Sequence, residues 1–171
     1  MKLYTKKYSE NVGGTFGYAG YRNRRRLEVL KKLIAVTGKD KILEIGPNTC
    51  SLLDGLKAQA SSVLGIDINE ELTRETDRSD FICMDATQMA FKEASFTTVI
   101  AIEVFEHIPA LQKVFSEIDR VLVEGGKCYM TVPFELFRVN KRLVTRGSSI
   151  ATWQWPCNYM YISSTQRKLK N

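Results

Sequence analysis

The amino-acid sequence predicts an α/β fold, a doubly wound and mostly parallel sheet with helices on both faces. Three observations lead there. Short apolar runs alternate with segments of helical period, one run about every 20 residues between Lys41 and Pro133. The runs are almost continuously apolar, the pattern of strands buried on both faces and so of a parallel sheet. Right-handed crossovers between parallel strands then place helices on both sides, which makes the layout Rossmann-like.

Residues 1–21 lack a helical period and are rich in glycine and aromatics, so they read as a loop or lid. Arg22–Thr37 carries Leu27, Leu30, Leu33 and Ile34 at three- and four-residue spacing before Gly38, the pattern of an amphipathic helix with a glycine stop. Ile42–Ile45 is the first strand, broken by Gly46-Pro47-Asn48. Ser51–Gln59 returns to a helical period through Leu52, Leu53 and Leu56. Ser62–Ile66, Phe81–Met84 and Thr98–Ile102 read as further strands, with a short helix at Glu70–Thr76. Pro109–Val123 has one apolar face, and Gly125-Gly126 is expected to end that helix. Cys128–Val132 is a fifth strand closed by Pro133. Beyond it, Leu136–Thr145 reads as a helix, and Thr152–Trp155 with Tyr159–Ser163 as a hairpin around Pro156-Cys157-Asn158. A rearranged tail is the alternative.

The 171 residues fit one domain. With 44% hydrophobic and 26% charged residues, disorder and coiled coil are excluded as the main architecture. No apolar run approaches the roughly 20 residues of a membrane span. Met1–Lys7 has no apolar core behind its lysines, so a cytoplasmic location is expected. Cys50, Cys83, Cys128 and Cys157 are far apart and form no C-x-x-C pair, and His107 is the one histidine. Reduced thiols, and no metal site, are expected.

Charge falls in blocks: +8 over residues 1–41, −9 over 42–126 and +7 over 127–171. Basic ends around an acidic middle suit either mutual neutralisation or a phosphate-bearing partner such as RNA.

Carboxylates fall at the ends of the predicted strands: Glu44 within the first, Asp67 after the second, Asp85 after the third and Glu103 after the fourth. In an open parallel sheet those carboxyl ends line one edge, and ligands bind there. Acids repel phosphate, and the turn Gly46-Pro47-Asn48-Thr49-Cys50-Ser51 has one glycine and no lysine. It is neither a dinucleotide fingerprint nor a Walker motif, which disfavours a nicotinamide oxidoreductase. A cationic nucleoside without phosphate suits the edge, and S-adenosylmethionine is the common one.

Residues 42–133 resemble class I S-adenosylmethionine-dependent methyltransferases, in particular the small-domain group with the ubiquinone and menaquinone methyltransferases. Ile42–Cys50 is similar to the first motif of that family, with Asn48 and Cys50 at two of its three glycine places. Asn tolerates positive φ, so the turn survives. Gly65-Ile66-Asp67-Ile68 is similar to the second-strand motif, Met84-Asp85-Ala86 to the adenine-contacting stretch, and Phe96–Ile108 to the fourth-strand motif. Arg120–Gly126 followed by Tyr129–Pro133 resembles the end of the core.

The resemblance implies S-adenosyl-L-methionine as cofactor, held by Glu44, Gly46, Asn48, Asp67, Ile68, Asp85, Ala86 and Glu103. Asp67 would hold the ribose hydroxyls, and Glu103 would lie near the amino-acid moiety through its backbone. It further implies one domain, with an N-terminal lid and helix at 1–40, a cofactor-binding core at 41–133 and a shortened C-terminal segment at 134–171. His107 is the candidate general base, since histidine accepts a proton near neutral pH; a positioning role is the alternative. Glu106 reads as a turn residue. An arginine of Arg22–Arg26, and Tyr18 or Tyr21, are candidates to reach or cover the cofactor. The expected activity is methyl transfer to a small-molecule or lipid-like acceptor. The alternatives are an RNA or protein methyltransferase docking through the basic ends, and a cofactor-binding relative without turnover. A homodimer closed by Trp153 and Trp155 is also left open.

Overall fold

The computed structural model describes Glu28, Leu30, Lys32 and residues 34–48, 51–75, 78–133, 150–153 and 159–165. The expectations for Tyr18, Tyr21, Arg22–Arg26, Cys50, Leu136–Thr145, Trp155 and Cys157 lie outside the described residues, as does the side chain of Trp153.

The elements follow in chain order: β1 (Lys41–Ile45), α1 (Ser51–Lys57), β2 (Ser62–Asp67), α2 (Glu70–Glu75), β3 (Phe81–Cys83) and β4 (Phe96–Ile102). A 3-10 turn (Phe105–His107), α3 (Leu111–Val121), β5 (Leu122–Pro133), β6 (Ile150–Trp153) and β7 (Tyr159–Thr165) complete them. They build one seven-stranded sheet in the order β3-β2-β1-β4-β5-β7-β6. β1 to β5 pair in parallel, while β7 pairs antiparallel with both β5 and β6.

Side chains alternate across each strand, so neighbouring residues feed opposite faces. Leu43 and Ile45 of β1, with Ile66, Val99 and Ala101, pack against Val114, Ile118 and Val121 of α3. Ile42, with Val63 and Ile100, packs on the other face against Leu52, Leu53 and Leu56 of α1 and against Leu30 and Ile34. Glu28, Leu30 and Lys32 are helical, in keeping with the amphipathic segment before Gly38. Both faces of β1 are therefore covered, which is why its sequence beyond the exposed Lys41 is apolar except at Glu44.

Several boundaries differ from the sequence reading, among them the start of β5 at Leu122 rather than Cys128. β4 begins at Phe96, two residues before the apolar run at Thr98, and α3 begins at Leu111 rather than Pro109. Gly125-Gly126 does not end a helix; both glycines lie inside β5. Between the pairs Phe96↔Leu122 and Thr98↔Lys127, β4 advances two residues while β5 advances five. The glycines sit in that bulge, Gly125 at φ 76 and Gly126 so close to Val123 O that a Cβ would lie 2.9 Å away. The C-terminal hairpin is present, with Trp153 opposite Met160, and its strands run at 150–153 and 159–165. Among the described residues no helix is long and apolar enough to cross a membrane.

Candidate functional site

Strand order reverses between β1 and β4: the chain leaves β1 toward β2 and β3 and returns on the other side. The carboxyl ends of these two strands bound the crevice where open α/β sheets bind ligands. The register aligns the tips, with Ile45 opposite both Ile66 and Ala101, Asp67 opposite Cys83, and Ile102 opposite Thr131. Gly46, Asp67, Glu103 and Thr131 thus arrive at one edge.

The turn after β1 is shaped by two left-handed residues, Gly46 at φ 68 and Asn48 at φ 47. Asparagine is among the few residues that take this conformation readily, so the second needs no glycine. Gly46 N–H donates to Ile66 O over 2.8 Å, which ties the turn to β2. Gly65 of β2 lies so near α1 that a Cβ there would be 2.8 Å from Leu53 Cδ1 and 2.9 Å from Pro47 Cγ.

Glu44 does not stand at the open edge. Its side chain is 3% exposed, and Oε2 has no hydrogen-bond partner among the described residues. Burial pushes its carboxyl up to about 8; the Leu53 N–H opposes the rise and the Asp54 charge adds to it. Asp67 lies at the tip of β2, half-buried, and its Oδ1 accepts the Asn69 N–H over 2.9 Å. Burial raises its pKa, while the backbone N–H groups of Asn69 and Ile68 work against the rise. Asp67 and Asp85 form no ion pair among the described residues.

Asp85 lies two residues beyond β3, not at its end, and is exposed; its Oδ1 accepts the Thr87 N–H over 2.7 Å. Ala86 beside it is buried, and Ile68 is 48% exposed, a large apolar side chain near the Asp67 tip. Glu117 and Arg120 secure the loop that follows: Glu117 Oε2 accepts the Met89 N–H over 2.6 Å, and Arg120 donates to Met89 O and Phe91 O over 2.8 and 2.6 Å.

Glu103 leaves β4 at φ 54. Its N–H donates to Thr131 Oγ1 over 3.1 Å, and the Thr131 hydroxyl donates to Glu103 Oε1 over 2.7 Å. Phe105 is buried against Phe115 of α3, their ring centroids 5.1 Å apart, and this anchors the 3-10 turn. His107 ends that turn at the surface, its Nε2 3.8 Å from Glu106 Oε1. No group of His, Cys, Asp and Glu among the described residues is placed to hold a metal.

The structure therefore brings Gly46, Asn48, Asp67, Ile68, Glu103 and the Asp85–Ala86 loop to the carboxyl edge and keeps Glu44 below it. Sequence reading missed Thr131, whose signal was a polar residue inside an apolar strand, and Gly65, whose close approach to α1 had no signal beyond its identity. Among the described residues the half-buried Asp67 accepts only backbone N–H groups, and this suits a neutral diol carrying hydrogen-bond donors. Asp67 and Asp85, with no ion pair among the described residues, suit a cation. These residues fit a cationic nucleoside.

A family profile described as "Methyltransferase domain" matches residues 43–130. The chain is 37% identical over 81 residues to the sterol 24-C-methyltransferase ERG6B of Gibberella zeae, an alignment covering 42% of this chain and 21% of that protein. It is 30% identical over 113 residues to the 24-methylenesterol C-methyltransferase 2 of Oryza sativa, covering 58% of this chain and 31% of that one. The matched stretch is thus less than a third of the length of either relative. A SAM-dependent methyltransferase from Aquifex aeolicus shares the fold with a TM-score of 0.68 at 11% identity, over 91% of this chain and 97% of that one. With the profile matched over residues 43–130, just over half of the 171, the chain belongs to the class I S-adenosylmethionine-dependent methyltransferase family.

Proposed function

We propose that the chain binds S-adenosylmethionine across the carboxyl ends of β1 to β4 and transfers its methyl group to a small-molecule or lipid-like acceptor. The observation that carries the reading is Asp67, a half-buried strand-tip carboxylate that accepts backbone N–H groups and pairs with no cation among the described residues. In this reading Asp67 accepts the ribose hydroxyls and Ile68 covers one face of the base. The Asp85–Ala86 turn borders the base, and the Gly46–Asn48 turn lets the backbone approach the nucleoside. Glu44 lies beneath that turn and adds negative charge when ionised. The backbone of Glu103 faces the amino-acid end.

S-adenosylmethionine supplies an already activated methyl group, so the chain's own work is alignment and exclusion of water. For an oxygen acceptor, His107 is the proposed base, because the 3-10 turn holds it just past the β4 tip. The sterol methyltransferases among the relatives support a lipid-like acceptor.

We further propose that the chain works as one domain in the cytoplasm, in keeping with the free thiols of Cys83 and Cys128. The basic blocks at residues 1–41 and 127–171 favour RNA as a second reading of the acceptor.

Calorimetry on the full chain tests the first step. S-adenosylmethionine and S-adenosylhomocysteine should bind and NADH should not; the reverse pattern would sink the proposal. Methyl transfer from labelled cofactor to sterols, against structured RNA at several salt concentrations, then separates the acceptors, because RNA docking weakens steeply with salt.

A further inference from the structure

We infer that Thr131 is a positioning residue, which holds Glu103 in the bent conformation that shapes the crevice between β1 and β4; this rests on the methyl-transfer reading above. Thr131 is completely buried in β5, where a polar side chain needs partners. It finds them in one residue of the neighbouring strand. The Glu103 N–H donates to Thr131 Oγ1 over 3.1 Å and to Thr131 O over 3.2 Å, and the Thr131 hydroxyl donates to Glu103 Oε1 over 2.7 Å.

Glu103 needs such a hold. At φ 54 it sits in the left-handed region, which disfavours side chains other than those of Asn and Asp, and such residues persist where surrounding structure fixes them. The bend has a consequence at the neighbouring tip. Val104, the next residue, lies against Gly46, whose missing side chain leaves it room. A hydroxyl on β5 therefore sets the turn of β4, and that turn packs onto the turn of β1. Because Thr131 engages a carboxylate oxygen as well as the N–H, it fixes both the side chain and the backbone of Glu103. The role asked of Glu103, presenting backbone to the cofactor, depends on that fixation.

Calorimetry of S-adenosylhomocysteine with five chains tests this: wild type, Thr131→Val, Thr131→Ser, Glu103→Gly and the double variant Thr131→Val with Glu103→Gly. Valine removes the hydroxyl at nearly constant shape, serine restores it, and glycine takes positive φ without strain. Thr131→Val should bind about tenfold more weakly, the scale of one net hydrogen bond. Thr131→Ser should stay close to wild type. Adding Thr131→Val to Glu103→Gly should change little, since glycine needs no clamp. A merely structural threonine would lower the thermal midpoint and leave the affinity of the folded chain unmoved. Equal affinity for Thr131→Val and wild type overturns the inference, and so does an undiminished loss in the Glu103→Gly background. Should Thr131→Val not fold, Glu103→Ala replaces it, keeping the strained φ without the carboxylate; wild-type affinity there is the overturning result. Failure of the wild type itself to bind would overturn the methyl-transfer reading, and this inference with it.

Discussion

Val104 occupies the space that a side chain at Gly46 would need: a Cβ built there would lie 2.6 Å from Val104 Cγ2. The backbone adds a second demand, because Gly46 sits at φ 68. Gly46→Ala should therefore destabilise the fold by about 1–3 kcal/mol, through overlap and through the left-handed strain. Gly46→Ala with Val104→Ala removes the overlap only, so it should recover part of the loss. Urea unfolding midpoints of the three chains decide it; an unshifted single variant would mean that the turn relaxes freely.

Asp67→Ala should weaken S-adenosylhomocysteine binding and leave the unfolding midpoint nearly unchanged. One lost charged acceptor is worth about 1.5–3 kcal/mol, roughly 10- to 150-fold in affinity. Titration calorimetry reads this directly, and undiminished affinity would remove Asp67 from the site.

Glu44 links stability to pH. Its carboxyl titrates from an ordinary value of 4.5 in the unfolded chain to about 8 in the fold, raised by burial. Below the lower value both states hold the proton, and the contribution is fully present. As pH rises between the two values, the unfolded chain releases the proton and the fold retains it. Stability then falls by up to about 1.4 kcal/mol per pH unit. Glu44→Gln cannot ionise, so its unfolding free energy relative to wild type should increase steadily across that window. A difference that stays flat with pH would mean that Glu44 is already ionised in the fold.

His107→Gln should lower kcat for an oxygen acceptor by about 100-fold or more, the lower range for loss of a general base. The affinity for S-adenosylhomocysteine should not change, because the histidine is proposed to act on the acceptor. Steady-state rates with parallel calorimetry check both parts. An unchanged kcat with a raised KM would make His107 a binding residue instead.

The parallel core was legible because burial on both faces leaves runs such as Ile42–Ile45 and Val99–Ile102 with little polar interruption. Where one strand bends, local signals mislead. Gly125-Gly126 reads as a helix stop, yet the pair serves a bulge that depends on β4 lying alongside. Asp67 stood out at the end of an apolar run. The depth of Glu44 did not, because it depends on α1 folding back to offer the Leu53 N–H. Thr131 was visible as a polar residue in an apolar strand, but its partner was hidden for the same reason, lying 28 residues away on another strand.

The antiparallel pairing of β7 with β5, from Lys127↔Thr165 to Pro133↔Tyr159, covers what would otherwise be the open margin of the parallel core. As the chain leaves the ribosome, β1 to β5 emerge before residues 159–165, so for that interval the backbone groups along β5 face any neighbouring chain. Unpaired strand margins invite self-association. The β6–β7 hairpin thus guards the folded protein against self-association, and a truncation after Pro133 would be expected to precipitate even where every residue at the crevice is retained.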